Sequence, residues 1–133
     1  MTREDKELLL KDLSARLFYH PLIYGKTGYA TNEGRLTSVF SSGIHIMTAG
    51  GTVVHYYVEE VKPYLRPMSS MTKKEQNEYD LFFSYGEHGW DEYTIEKEVP
   101  SIVDWLNAHH FDYRGLIEKG LALEATEGMY REG

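Results

Sequence analysis

The chain has no cysteine, which excludes disulfides, thiolate metal centres and a cysteine nucleophile, and leaves packing alone to hold the fold. The same absence fits a reducing compartment. It also has no long uncharged apolar run, so no membrane span is expected. Its opening, Met1-Thr2-Arg3-Glu4-Asp5-Lys6, leads into a charged amphipathic stretch and not an apolar leader, so a cytoplasmic location is expected. Base is scarce: 14 Lys and Arg face 21 Asp and Glu, for a net charge of −7. The deficit is concentrated where Glu75, Glu78, Asp80, Glu87, Asp91, Glu92, Glu96, Glu98 and Asp104 are opposed by Lys97 alone. That segment would repel a phosphate backbone, so nucleic acid is not an expected partner. It reads either as a solvated face or as a patch for a basic partner.

At 133 residues the chain fits one domain, 1–133, and a globular chain of that size buries about two-thirds of the surface its unfolded form exposes. Tyrosine is in excess, with 11 copies. Each pairs a large apolar ring with a hydroxyl that needs a partner, which suits a contact surface or a polar-lined core.

The expected fold class is α+β: an N-terminal helix, a small antiparallel meander or open barrel of three to four strands, then two or three short helices. Thr2 and Asp5 form a capping box ahead of Leu9, Leu10, Leu13 and Leu17 at helical spacing, and Pro21 bounds that helix. Strands are expected at Leu36–Phe40, Ile44–Ala49 and Thr52–Val58, with Leu22–Tyr24 as an opening strand and turns at Ser41-Ser42-Gly43 and Gly50-Gly51. Lys62–Met71 carries two prolines and reads as an extended connector, after which Thr72 and Glu75 cap a helix ending about Tyr79 or Phe83. From Pro100 and Ser101 a helix should bury Ile102, Trp105, Leu106 and His109, with His110 at its C-terminus. Asp112 would cap a last short helix closed by Gly120, Leu121–Ala125 would end as a strand or extension, and Gly128–Gly133 would fray.

By the segments Lys62-Pro63-Tyr64-Leu65-Arg66-Pro67-Met68-Ser69-Ser70-Met71-Thr72 and Trp105–Gly120, the chain resembles a group of small uncharacterised bacterial proteins of gut anaerobes and their mobile elements. Lys6–Leu17 and Glu127-Gly128-Met129-Tyr130 extend the resemblance to about half of the chain. It implies one domain and carries no activity with it.

Three kinds of site can be weighed. His88, Asp91, His109, His110 and Asp112 offer metal donors, but adjacent histidines point about 100° apart on a helix and no H-E-x-x-H is present, so no metal or cofactor is expected. Glu87, His88 and Asp91 suit acid–base chemistry, yet no nucleophile motif accompanies them and no catalytic residue is assigned. Gly25-Lys26-Thr27-Gly28 lacks the spacing of a phosphate loop. The third kind is a binding module. Tyr85, Trp90 and Tyr93, interleaved with Glu87, His88, Asp91 and Glu92, compose an aromatic and acidic loop suited to a basic protein or peptide. The alternative is a structural protein that self-associates.

Overall fold

Helix α1 (Arg3–Arg16) begins at the expected box: the Thr2 hydroxyl accepts the Asp5 amide at 3.0 Å, and the Asp5 carboxylate accepts the Thr2 amide at 3.4 Å. Its Leu9 and Leu13 are fully buried. A single 3-10 turn, Leu17–Tyr19, then ends at His20, whose φ of 48° is left-handed, and Pro21 prevents continuation. The computed structural model of the chain describes residues 1–28, 30–87 and 102–130, with the backbone alone for 83–87.

The chain next runs up and down through β1 (Leu22–Lys26), β2 (Thr31–Val39), β3 (Gly43–Thr48) and β4 (Val53–Tyr57). One 3-10 turn, Val58–Glu60, returns it to the far side of β1 as β5 (Val61–Leu65), antiparallel to β1. β6 (Leu123–Glu124) adds parallel to β5, giving the order β4-β3-β2-β1-β5-β6. The sheet is open and mixed, and the protein is α+β.

Curling is what gives this sheet an inside. Tyr56 on the terminal strand β4 lays its ring over Gly25 on β1, three strand spacings away, about 14 Å in a flat sheet. A Cβ on Gly25 would stand 2.5 Å from that ring, and Asn32 Nδ2 donates to the Tyr56 hydroxyl at 2.7 Å. Leu9 and Leu13 close the concave face with Ile23, Leu36, Ile44, Ile46, Val61, Leu65 and Leu116. Gly25→Val should therefore cost about 2 kcal/mol or more by overpacking, read as a lowered midpoint in urea.

The structure revises the expected elements in four places. The sheet has six strands and is mixed, not an antiparallel meander of three or four, because the first half of the expected connector is β5 and Leu123–Glu124 adds parallel to it as β6. Proline is tolerated there: the Leu65 carbonyl accepts the Ala125 amide, so odd-numbered residues face β6, and Pro63 sits on that side before β6 begins. The second helix, α2 (Lys73–Glu87), keeps the Thr72 and Glu75 box but runs past the expected end through Gly86. After α3 (Ile102–Ala108), Asp112 does cap, accepting the Leu116 and Ile117 amides at 2.9 Å each, but what it caps is a single turn closed by Gly120 at φ 75°. The expected fraying at Gly128 does not extend to Tyr130. Its hydroxyl accepts the Leu22 amide at 2.8 Å and donates to the Tyr64 carbonyl at 2.6 Å, occupying the next rung of the β1–β5 ladder. Among the described residues no helix is long and apolar enough to cross a membrane.

Candidate functional site

The closing block, Trp105–Gly120, forms a packed hub with the end of α1. Arg16 at the end of α1 is fully buried; its Nε meets Asp12 Oδ2 at 2.8 Å and its Nη2 donates to the Phe111 carbonyl at 2.7 Å. Arg114 reaches the other Asp12 oxygen at 3.1 Å, and the Tyr113 hydroxyl donates to Asn107 at 2.8 Å. Burial raises the Asp12 pKa, against the pull of Arg16 and Arg114. Arg66 lies 4.2 Å from the Phe111 ring centre and grips both Glu75 oxygens at 2.6 and 2.7 Å, which holds the Glu75 carboxyl down at about 2. Among the described residues these donors are directed at other parts of the same chain, except Arg16 Nη1, which is buried without a hydrogen-bond partner.

Three assignments in this block change. Trp105 is half-buried, not core, and its Nε1 donates to Glu78 at 3.2 Å while its ring packs beside His109 and Phe111. His109 is half-buried too, with Nδ1 2.8 Å from the Trp105 carbonyl. The buried histidine is His110, 8 % exposed. α3 closes with the Phe111 amide on the Leu106 carbonyl and the His110 amide on the Asn107 carbonyl, a Schellman ending that puts His110 at φ 62°. That turn folds its ring inward onto Tyr130, centroid to centroid 3.8 Å. Burial first, then the charges of Arg16, Arg35, His109 and Arg66, lower its pKa to about 3.

Of the expected contact loop, Tyr85 and Glu87 fall on the last turn of α2, and only their backbone is described. His88, Trp90, Asp91, Glu92 and Tyr93 lie outside the described residues.

A second surface sits on the convex face of β3 and β4, within the Leu36–Val58 stretch whose edge strand is the alternative contact the sequence offers. The Thr48 amide bonds the Thr52 carbonyl and the Val58 amide bonds the Ser42 carbonyl, so the directly opposed pairs Met47/Val53, His45/His55 and Gly43/Tyr57 fall at non-hydrogen-bonded positions. Side chains of such pairs approach most closely, and their backbone groups point away from the partner strand. A β-bulge at Thr37 in β2 adds the step that keeps Val39 inward and sends Phe40 outward beside His45. Re-aiming a side chain is the usual consequence of a bulge.

The result is a contiguous patch. Phe40, Met47, Val53 and Tyr57 are 46, 43, 52 and 54 % exposed. Phe40 stands 4.8 Å from His45, His45 5.3 Å from His55 and His55 5.4 Å from Tyr57, ring centre to ring centre. Among the described residues β4 is also the terminal strand, and Glu60 covers only its last rung, accepting the Tyr57 amide at 2.9 Å. Tyr57 borders a cleft of about 290 Å³ whose other walls include Arg3, Lys6 and Glu7 of α1 and the Ser41-Ser42 turn. Alternation on both strands was the available signal: His45/Met47 and Val53/His55/Tyr57 share one parity.

No family model, curated protein or solved structure matches the chain.

Proposed function

We propose that the protein is a small acidic binding module that takes a protein or peptide partner on the convex face of β3–β4. The observation that supports this is the concentration of half-exposed apolar and aromatic side chains on one sheet face beside a strand edge that, among the described residues, no further strand covers. Ordinary surfaces scatter such residues, whereas a contiguous group next to unpaired backbone suits an extended segment adding as a further strand. Backbone groups of Val53 and His55 would supply the pairing; Phe40 and Tyr57 would supply rigid contact area. With the chain at −7, a basic partner would associate faster, and its rate would fall with salt. The aromatic and acidic segment Tyr85–Tyr93 belongs to the same proposal as a second contact.

The test uses a partner isolated by pull-down and its measured affinity. The double variant Phe40→Ala/Tyr57→Ala should bind about tenfold more weakly or worse, the loss expected for central aromatic anchors, with little change in thermal midpoint. Replacing Trp90, Asp91 and Glu92 by Ala-Asn-Gln isolates the acidic segment. Unchanged affinity in the first variant would remove the sheet face from the proposal. The open β4 edge also favours a second occupant, another copy of the chain; sedimentation at two concentrations distinguishes it, since self-association would raise the mass of the wild type and not of the double variant.

A further inference from the structure

The His45/His55 pair has a geometry that the partner proposal does not use. We infer that these two imidazoles form a surface site for a divalent transition-metal ion, of the nitrogen-preferring class Zn²⁺, Ni²⁺ or Cu²⁺. The two residues are directly opposed on adjacent antiparallel strands, at the kind of position where opposed side chains stand closest. An ion bonded to an imidazole nitrogen at about 2.1 Å lies about 3.2 Å from the ring centre, so two rings at a near-tetrahedral angle have centres about 5.2 Å apart. The observed separation is 5.3 Å. Coordination sets no fixed angle between two ring planes, so the 80° found here is acceptable.

The surroundings agree with this assignment. Both side chains sit on the solvent side of the sheet: His55 is exposed and His45 partly so, giving an ion an open approach. Phe40 flanks the pair, its ring centre 4.8 Å from that of His45 and 6.5 Å from that of His55. Gly43 leaves the space into which the His55 ring leans, since a Cβ there would come within 3.2 Å of His55 Cε1. Among the described residues no third His, Cys, Asp or Glu joins them. The ion would thus be held by two protein nitrogens with its remaining positions open to water or to a donor on another molecule. Imidazole is the nitrogen donor these metals share, and the lack of carboxylate oxygens disfavours Ca²⁺ and Mg²⁺.

Calorimetric titration of tag-free protein with Zn²⁺ and Ni²⁺ chlorides, one metal at a time, tests the site without any partner. One equivalent should bind, and His45→Gln and His55→Gln should each weaken it at least about tenfold, since even loss of a supporting group beyond the ligands has that effect. His20→Gln, which removes a ring engaged with the Leu36 carbonyl, should leave the affinity unchanged. Paramagnetic broadening by Ni²⁺ in the wild-type NMR spectrum supplies a readout that needs no variant: the His45 and His55 ring signals should vanish first. Absence of binding, affinity unaltered in both variants, or first broadening at other histidines would each overturn the assignment. Because metal alone is the probe, these outcomes are independent of whether a protein partner uses the same face.

Discussion

Arg16→Ala is expected to destabilise the protein by about 3–5 kcal/mol, the range for removing one member of a buried ion pair. Asp12 and Arg16 are both fully buried, and the change would leave the Asp12 carboxylate with Arg114 alone and the Phe111 carbonyl without its donor. The loss has a second component. Arg16 sits 5.1 Å from the Tyr113 ring centre, so the alkyl stem and guanidinium also fill the space between α1 and the closing block. Arg16→Met restores volume without charge and should recover only part of the stability; adding Asp12→Leu should recover more, because an uncharged buried pair carries no desolvation cost. Urea denaturation of the three variants gives the values. A loss below about 1 kcal/mol for Arg16→Ala would mean that this pair does not join the two ends of the chain.

How far the sequence revealed this fold can be traced residue by residue. Signals confined to a few neighbours were readable: the Thr2/Asp5 and Thr72/Glu75 boxes and the left-handed Gly120 all occur as expected. Signals that depend on distant partners were not. Pro63 argued locally for a connector, and only the short reach of β6 makes it tolerable in a strand. His109 lies on the periodic stripe of α3, yet the helix ends one residue before it, and a left-handed turn carries His110 into the interior instead. Asp12 and Arg16 have the spacing of an ordinary surface pair on a helix; nothing nearby announces that Arg114 and Phe111, nearly a hundred residues on, will cover them. The composition of the convex-face patch is hidden for another reason. The alternation that buries Ile44, Ile46 and Tyr56 sends His45, Met47, Val53, His55 and Tyr57 to the other face, and nothing local separates a contact face from an ordinary solvated one.

Acid should weaken the protein well before its paired carboxylates titrate, because of His110. With a folded-state pKa of about 3 against 6.5 for the free side chain, the unfolded chain binds a proton here that the native state refuses. Stability therefore falls as pH drops through the window from 6.5 toward 3, and none of this loss operates above 6.5. Two pH units at about 1.4 kcal/mol each give a loss of about 2–3 kcal/mol by pH 4.5 from this residue alone. Glu75, held at about 2 by Arg66, adds its own loss only below its ordinary value of 4.5, so between 6.5 and 4.5 the His110 loss operates without it. Asp12, with its raised pKa, acts in the opposite direction, so the diagnostic quantity is the difference between two proteins measured side by side. The comparison is His110→Asn, since asparagine tolerates the left-handed backbone found at this position but carries no proton between pH 4.5 and 7. Urea midpoints at pH 7, 5.5 and 4.5 should decline more steeply for the wild type than for the variant. Parallel declines would show that His110 takes up its proton without unfolding, and the stacked pair with Tyr130 would then have to open toward solvent while β1 and β5 stay joined.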